Sequence, residues 1–504
     1  MKKIAVLLMI IAVLSKISGF MRDITLTFFY GATSISDAYI ISITITSVLF
    51  SLIIAGISTA YIPMFKQIEH DLDVRSAKYF TNNLINILLL ITTGIIISGL
   101  LFSNVLVKIF ALGFNKETVN TAVLFTRIGL VGIYFTSLTQ IFIGYLQLNK
   151  KFVIPALIGL PFNLIVILSI FISAKTNIIM LAIGTVLAAF IQLLFLIPSL
   201  YKSNYRYMPF ISFKDKNIKK MAIIAFPIMI GVSIDQINLM VDKTLASTIM
   251  EGGISALSYA SRLNDFVQGI FVFSFVTVMF PLISKLAANN EMVKFKNSIS
   301  EVISSVILIV VPACFGLMIL AEPLIRLLFG RGNFDENAIH MTSAAMFYYA
   351  VGMLGYGIRE IINRSFYSLQ DMKTPMYNAA LSVLLNIILN LILSEYMGIS
   401  GLALATSISA LFCSFLLVIS LRKKIGPFGL RSNLITLFKV LLASSGMGIV
   451  IYVFNEYILI DWNVFSKISI SILIGCIIYI ILITLLKVEE TKILYRFLKG
   501  KFGW

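Results

Sequence analysis

Thr59-Ala-Tyr-Ile-Pro63 ends one long apolar stretch of this chain, and Thr277-Val-Met-Phe-Pro281 ends another in the second half. Two further pairs keep the same order and almost the same separation along the chain: Lys108-Ile-Phe with Arg326-Leu-Leu, and Pro155 with Pro375. Three landmarks in one order at a nearly constant separation predict an internal duplication of the chain.

Apolar runs surround these landmarks along all 504 residues. Apolar residues make up 59% of the sequence and charged residues only 12%, and the mean hydropathy is +0.98. A soluble protein of this size carries about twice that share of charge. The composition therefore excludes a soluble enzyme, a disordered chain and a secreted disulfide scaffold. Runs of about 20 apolar residues instead predict an all-α polytopic membrane protein.

Polar or Pro/Gly-containing breaks divide the chain into fourteen predicted transmembrane helices. Their approximate spans are 4–29 (an uncleaved first span), 36–64, 80–109, 119–147, 153–173, 177–200, 218–247, 255–287, 298–320, 337–368, 375–395, 399–421, 433–455 and 465–486. Each copy of the duplication holds six spans. Because six is even, the copies are predicted to be parallel repeats around a central cavity, with two additional C-terminal helices. This architecture is typical of alternating-access transporters.

The positive charges are distributed unequally between the two sides of the predicted membrane. The chain has 40 Lys and Arg against 23 Asp and Glu, a net charge of +17. Sorted by alternate connections, 26 cations fall on the side of both termini and five on the other: Lys108, Lys116, Lys175, Arg326 and Arg331. This pattern predicts cytoplasmic termini, and we expect membrane lipids rather than nucleic acid as partners. Of the nine cations within or at the ends of spans, we favour a structural role for Arg127 and Arg359.

The residues that usually carry chemistry are sparse. The three cysteines lie singly in apolar runs without a CxxC pair, and the two histidines, His70 and His340, lie close to loops. Neither a disulfide framework nor a Cys/His metal site is indicated. A membrane-embedded glycosyl- or acyltransferase needs an acidic dyad or a His beside a sizeable catalytic loop, and the loops here are short. We therefore expect no enzyme, no catalytic residue and no resident cofactor.

Ionisable residues inside the predicted spans are the first candidates for function, because a charge in hydrocarbon costs about 3 kcal/mol or more unless it faces a cavity or a partner. These candidates are Lys16, Arg22 and Asp23 in span 1, Asp37 at the start of span 2, and Arg262 and Asp265 in span 8. Cations converging from both copies predict a diphosphate site, because Arg offers bidentate donors to phosphate oxygens. The alternative is internal salt bridging, in which Arg22 pairs with Asp23 or Asp37. Arg262 would then pair with Asp265.

A second set of polar side chains lies on three later spans. Asn386 and Asn390 are four residues apart on span 11 and share one helix face. Span 12 carries Thr406 and Ser407, and span 7 carries Asp235. Oxygens around one carboxylate suit a dehydrated monovalent cation, so Na+ or H+ is a candidate coupling ion. The alternative is interhelical hydrogen bonding, which Asn and Thr commonly make in membranes.

Several stretches resemble the MurJ (MviN) family of lipid II flippases, within the multidrug/oligosaccharidyl-lipid/polysaccharide exporter superfamily. The matching stretches are Ser18-Gly-Phe-Met-Arg-Asp23, Gly31-Ala-Thr33 with Asp37-Ala38, Ala55-Gly-Ile-Ser-Thr-Ala-Tyr-Ile-Pro63, Tyr259-Ala-Ser-Arg-Leu263, Leu328-Phe-Gly-Arg-Gly-Asn-Phe-Asp335, and Arg364-Ser-Phe-Tyr-Ser-Leu369 followed by Thr374-Pro375. They cover both copies and lie on the expected spans.

The resemblance implies an N-lobe of six helices over residues 1–205 and a C-lobe over residues 206–425. Helices 13 and 14, over residues 426–486, are implied to form a groove for a lipid tail. Residues 487–504 are predicted to form a basic amphipathic tail on the cytoplasmic leaflet. The implied cargo is undecaprenyl-diphosphate-linked disaccharide pentapeptide (lipid II). It is moved from the inner to the outer leaflet of the bacterial cytoplasmic membrane for peptidoglycan biosynthesis, and we expect a monomer.

The resemblance also assigns site residues. The cavity cations of the family fall on Lys16, Arg22 and Arg262, and its acidic position on helix 2 falls on Asp37. A cation site described for some members falls on Asp235, Asn386, Asn390 and Thr406, with a backbone oxygen at Leu402.

The sequence departs from the family pattern at several of these positions. Lys16 stands where Arg is common, and Asn390 stands where some relatives have an acid. Phe50 and Ala55 occupy positions where the family often has Arg and Glu. A less charged cavity keeps open a flippase for another polyprenyl-diphosphate-linked saccharide, of capsule, teichoic-acid or O-antigen type. A cation-coupled drug antiporter of the superfamily is a further alternative, although those have twelve spans and usually acidic cavities.

Overall fold

The structure, a computed structural model, describes residues 2–459 and 462–488, and no β-strand occurs among them. The chain forms two compact units, of which the first comprises Met1–Ser255 and Gly332–Phe334. The helices of the first unit are α1 (Lys2–Tyr30), α2 (Ser34–Asp71), α3 (Val74–Leu101), α4 (Ser103–Phe110), α5 (Lys116–Leu148), α6 (Val153–Leu157), α7 (Gly159–Lys175), α8 (Ile179–Tyr201) and α9 (Lys216–Ile249). In its core, α2 packs against α3, α5 and α9.

The second unit comprises Ala256–Arg331 and Asp335–Trp504. Its helices are α10 (Gly253–Ala288, which begins in the first unit), α11 (Met292–Ile319), α12 (Ala321–Leu328), α13 (Glu336–Ser368), α14 (Lys373–Met397), α15 (Ile399–Ile425), α16 (Leu430–Val453) and α17 (Val464–Leu485). A π-helical turn, Phe454–Ile458, follows α16. Helix α15 packs against both α13 and α14, and α16 packs against α11 and α17.

Polar residues at helix starts explain where several of these helices begin. A side-chain oxygen accepts a hydrogen bond from a backbone N–H of the first turn in α3, α5, α9, α13 and α17, and the capping residues are Asp73, Asn115, Asp215, Asp335 and Asn463. Such caps satisfy backbone donors that have no partner inside the helix. They place these helix starts in the polar connections between apolar segments.

Ten helical segments within the described residues are long and apolar enough to cross a membrane. Four other long helices, α1, α9, α10 and α13, fall outside that set. All four carry ionisable residues in their interior, whereas the apolar segments carry few. The prediction of an all-helical, multi-pass membrane protein is confirmed.

A series of helix lengths repeats along the chain. Helices α3 and α11 each have 28 residues, α4 and α12 each have 8 residues, and α5 and α13 each have 33 residues. The two series run in the same order, one in each unit. The short helices α4 and α12 therefore occupy corresponding positions after a long apolar helix in each half.

Two of the predicted spans are interrupted in the structure. The prediction of one continuous helix over 80–109 is wrong, because the backbone leaves the helical region at Phe102, and α4 follows as a separate helix. The predicted span 153–173 is divided at Ile158 into α6 and α7. Hydropathy indicates which residues can lie in lipid, but it does not indicate where the helical backbone is interrupted. Each of these predicted spans therefore included two separate helices. Most of the predicted tail, 489–504, lies outside the described residues.

Three asparagines on α3 hold the connection between α8 and α9 against α3 itself, within the first unit. The Asn86 amide donates to the carbonyls of Met208 and Phe210 at 3.0 and 2.8 Å. Asn83 exchanges two hydrogen bonds with the Ser212 backbone, and Asn82 accepts one from the Met208 N–H. All three asparagines are buried. This connection is therefore fixed by side chains where it has no regular secondary structure. The predicted lobe boundary at residue 205 lies within it and stays a prediction.

Candidate functional site

Arg22 lies in the middle of α1 and is held by two polar neighbours. Its Nε and one terminal nitrogen donate to the Asp23 carboxylate at 3.2 and 3.1 Å, and the other terminal nitrogen donates to the Asn163 side-chain oxygen at 3.2 Å. The Arg22 side chain is 25% exposed and that of Asp23 is 7% exposed. The predicted pairing of Arg22 with Asp23 is therefore observed. It leaves hydrogen-bonding capacity unused, because a guanidinium has five N–H donors and three are used here.

Asn163, on α7, is a residue that sequence reasoning missed. Its amide nitrogen donates to the Ser18 hydroxyl at 2.9 Å and to the Ser15 carbonyl at 3.4 Å, while its oxygen accepts from Arg22. One side chain thus joins α7 to two turns of α1 and sets the direction of the guanidinium. A lone Asn in the apolar span 153–173 was the available indication, because Asn inside a membrane helix usually bonds to another helix.

Lys16 lies six residues before Arg22 on the same helix, which is about 9 Å along the axis. The residue is exposed, and Arg22 is half-buried. Helix α1 therefore carries two cations, Lys16 and Arg22, within two turns, and neither side chain is fully buried.

Asp37 is buried, with 1% of its surface exposed, and both carboxylate oxygens are used. One accepts from the Gly252 N–H at 2.9 Å, and the other accepts from the N–H and the hydroxyl of Ser255, each at 2.7 Å. These donors are at the start of α10, where unpaired N–H groups and the helix dipole favour a negative charge. The predicted alternative of pairing with Arg22 is not what the structure describes, since these contacts occupy the Asp37 carboxylate.

Gly252 makes this contact possible. Its φ of +78° is left-handed, and a Cβ there would lie 2.1 Å from the Ala32 carbonyl oxygen. Any side chain at this position would separate α10 from the turn before α2.

Arg262 and Asp265 lie on α10 in the second unit. Arg262 is half-buried and Asp265 is exposed. Both residues interact with other residues of the chain, so the predicted alternative of internal pairing stays open alongside substrate contact.

Four residues of the predicted cation site form one chain of hydrogen bonds in the second unit. Asn390 donates to the Asn386 oxygen at 2.8 Å, Asn386 donates to the Thr406 hydroxyl at 3.4 Å, and that hydroxyl donates to the Leu402 carbonyl at 2.9 Å. The fifth, Asp235, is an exposed residue of α9 in the first unit. Within the described residues, no cluster of three His, Cys, Asp or Glu could hold a metal ion. The donor set fits interhelical hydrogen bonding between α14 and α15, and the cation site stays a prediction.

Ten apolar helical segments, together with four long helices that carry ionisable residues in their interior, define a multi-pass helical membrane protein. The family model for lipid II flippase MurJ matches residues 27–473. The chain belongs to this family, which is one of flippases rather than of enzymes.

Relatives and solved structures agree with this assignment. A probable lipid II flippase MurJ of Buchnera aphidicola subsp. Baizongia pistaciae is 28% identical over 469 residues, covering 91% of this chain and 90% of the relative. One of Thermotoga maritima is 27% identical and covers 96% of each chain. A solved lipid II flippase MurJ in an inward closed conformation superimposes with a TM-score of 0.82 at 29% identity, covering 98% of this chain and 99% of that one. The predicted family resemblance is confirmed.

A more distant solved structure has a similar fold. An inward-facing multidrug resistance MATE family transporter of the MOP superfamily superimposes with a TM-score of 0.70 at 13% identity, covering 84% of this chain and 98% of the other. At that identity the likeness is one of fold alone.

Proposed function

We propose that this protein moves lipid II from the inner to the outer leaflet of the bacterial cytoplasmic membrane by alternating access. Family membership over most of the chain supports the cargo. The observation that carries the site is Arg22. Its guanidinium is half-buried in an apolar helix, is oriented by Asp23 and Asn163, and keeps two N–H donors for a further acceptor. Phosphate oxygens are acceptors that match this geometry.

The proposed site is a cationic one for the diphosphate. Lys16 and Arg22 contribute from α1 and Arg262 contributes from α10. Asp23 acts as a positioning residue for Arg22, and Asp265 is proposed as the corresponding acid beside Arg262. Asp37 acts at the start of α10, where its carboxylate caps backbone donors. Because binding and release need no bond to be broken in the cargo, the protein is proposed to act as a transporter without catalytic residues.

The proposed architecture has fourteen transmembrane helices in two parallel six-helix repeats around a central cavity. The ten apolar segments and the four long charged helices together make fourteen. The recurrence of the same helix lengths in the same order supports a duplication. We propose that both termini are cytoplasmic, that α16 and α17 border the lipid tail, and that the protein works as a monomer. Membrane potential or a Na+ or H+ gradient is proposed to drive the cycle, with Asp235, Asn386, Asn390, Leu402 and Thr406 as the candidate ion ligands.

A second cargo is favoured by one observation. Phe50, where the family often has Arg, packs against two apolar clusters of the first unit, to which α2, α3 and α5 contribute. The first unit therefore has an apolar contact where many relatives have a charge. This favours a flippase for another polyprenyl-diphosphate-linked saccharide as the runner-up.

Complementation of a strain depleted of its own lipid II flippase tests the proposal. We expect Arg22→Ala and Arg262→Ala to abolish growth while the protein stays in the membrane at normal levels, because each removes a proposed diphosphate contact. Lys175→Ala, which removes an exposed cation at the end of α7, should leave growth unchanged. Growth supported by both arginine variants would overturn the assigned site.

Mass spectrometry of lipids that co-purify with the full chain distinguishes the two cargoes. Lipid II on the wild-type protein, and its loss from Arg22→Ala, is the expected result. Another polyprenyl-linked glycan, together with failure of the wild-type chain to complement, would favour the runner-up.

A further inference from the structure

An apolar groove lies on the exposed surface of the first unit, between α5 and α8. Its volume is about 590 Å³, its lining is apolar, and the residues that line it are Arg127, Ile128, Val131, Phe135, Ile183, Val186, Leu187 and Phe190. Several of these apolar residues are substantially exposed, among them Val131 at 42% and Leu187 at 45%. Helix α5 packs on α2 with another set of residues, since a methyl group placed on Gly129 would lie 3.2 Å from the Thr46 side chain. The groove therefore opens away from α2, on a surface of apolar side chains.

Arg127 stands at one end of this groove and is exposed. Its Nε donates to the Ser103 hydroxyl at 2.8 Å. In the described part of the chain its two terminal nitrogens have no hydrogen-bond or ion-pair partner, so four N–H donors remain. Ser103 begins α4, directly after the apolar helix α3 ends. The guanidinium thus lies at the level where a candidate membrane span ends, which is where lipid phosphates lie.

The other end of the groove is closed by aromatic rings. Phe135 follows Arg127 by eight residues on α5, which is about 12 Å deeper along the helix axis. Its ring packs against that of Phe190 on α8, with centroids 5.1 Å apart. The groove thus has a cation at its membrane-surface end and an apolar channel leading toward the bilayer centre. A charged side chain at the lipid boundary is costly unless an anion or water meets it.

We propose that this groove binds an anionic glycerophospholipid, with the phosphate on the Arg127 guanidinium and the upper part of one acyl chain between α5 and α8. Charge complementarity selects the headgroup, because the cation has unused donors and the described neighbours supply no carboxylate. The length and apolar lining of the channel select the acyl chain. By the predicted topology, Lys116 and Lys175 lie on the same side as Arg127, so the lipid belongs to the outer leaflet. This site is separate from the proposed diphosphate site for the cargo.

Native mass spectrometry of the delipidated full chain, titrated with phosphatidylglycerol or with phosphatidylcholine of the same acyl chains, tests the headgroup contact. We expect phosphatidylglycerol to bind about fivefold more tightly, as one Arg near an anionic lipid contributes on that scale. Arg127→Gln should remove this preference. Lys175→Gln, a matched loss of an exposed cation outside the groove, should preserve it. An equal effect of the two variants, or no preference in the wild-type protein, would overturn the proposal.

Filling the groove tests the acyl-chain contact independently. Val131→Trp should weaken binding of both phospholipids, because the indole occupies the channel. Leu168→Trp, at an apolar position of α7 that is 49% exposed, is the control and should have no effect. Unchanged binding to Val131→Trp would place the phosphate contact outside the groove and contradict the proposal.

Undecaprenyl diphosphate is the competing occupant. It should fail to displace phosphatidylglycerol from the wild-type protein. If it displaces that lipid and loses affinity in Val131→Trp, the groove holds the transported lipid instead, and the proposed phospholipid site is wrong.

Discussion

Arg22 shows how one residue can be both buried in an apolar helix and available to a ligand. Its charge is balanced by the adjacent Asp23, and its direction is set by Asn163, which is distant in the chain and lies on another helix. Asp23 could be identified from the sequence because it is the next residue. Asn163 could not be assigned to Arg22, because no local pattern tells which helix packs on α1.

The role of Asn163 gives a prediction at this scale. Asn163→Leu removes the hydrogen bonds to Arg22 and Ser18, each worth about 1 kcal/mol in a membrane protein. The guanidinium then loses its orientation, so we expect reduced complementation at normal protein levels. Ser18→Ala removes one Asn163 contact but leaves the bond to Arg22, and it should complement like the wild type. Equal growth of the two variants would contradict a positioning role for Asn163.

At the scale of elements, hydropathy located the long helices well but did not locate their interruptions. The breaks at Phe102 and Ile158 fall inside segments of high mean hydropathy, and the residues directly after them, Ser103-Asn104 and Gly159-Leu-Pro161, do not lower that mean enough to divide the predicted spans. From the sequence, the three asparagines of α3 are simply polar residues at the start of a predicted span. Their hydrogen bonds to the connection between α8 and α9 are known only from the structure. They bond the connection over residues 204–215, whose carbonyls have no helical partners.

This asparagine set gives a prediction at the same scale. Asn86→Leu leaves the Phe210 carbonyl without its donor and the Met208 carbonyl with the Phe210 N–H alone, at a cost of about 2 kcal/mol. We expect a lower Tm and faster tryptic cleavage at Arg206 and Lys214 in the purified protein. Asn149→Leu alters an exposed asparagine at the end of α5 whose amide donates to the nearby Tyr145 carbonyl, so it should be cleaved like the wild type. A connection that stays equally resistant in both variants would show that the asparagines do not hold it.

At the scale of the whole chain, the distribution of Lys and Arg sets the proposed topology. Each connection contributes a weak preference of its Lys and Arg residues for the cytoplasmic side, and the sum over all connections sets the orientation. The topology could therefore be predicted from the sequence without knowing which helices pack together.

Cysteine labelling in right-side-out spheroplasts measures that topology. In a Cys476→Ser background, a membrane-impermeant maleimide should label Lys116→Cys and Lys175→Cys, because the predicted outer connections carry these positions. Lys151→Cys and Lys423→Cys should react only after permeabilisation. Cys314 and Cys413 are buried and should remain silent. Labelling of Lys423→Cys in intact spheroplasts would refute cytoplasmic termini.

Hydropathy, charge asymmetry and spaced motifs were enough to predict the class of fold, the helix count, the orientation and the family, because they are properties of short stretches or of simple sums. The sequence also named Arg22 and Asp37 as residues of interest. What these side chains contact became known from the folded chain. It placed Asn163 on Arg22, the start of α10 on Asp37, and Arg127 beside an open apolar groove. Those contacts depend on which helices pack together across long separations in the chain, and no local pattern encodes that choice.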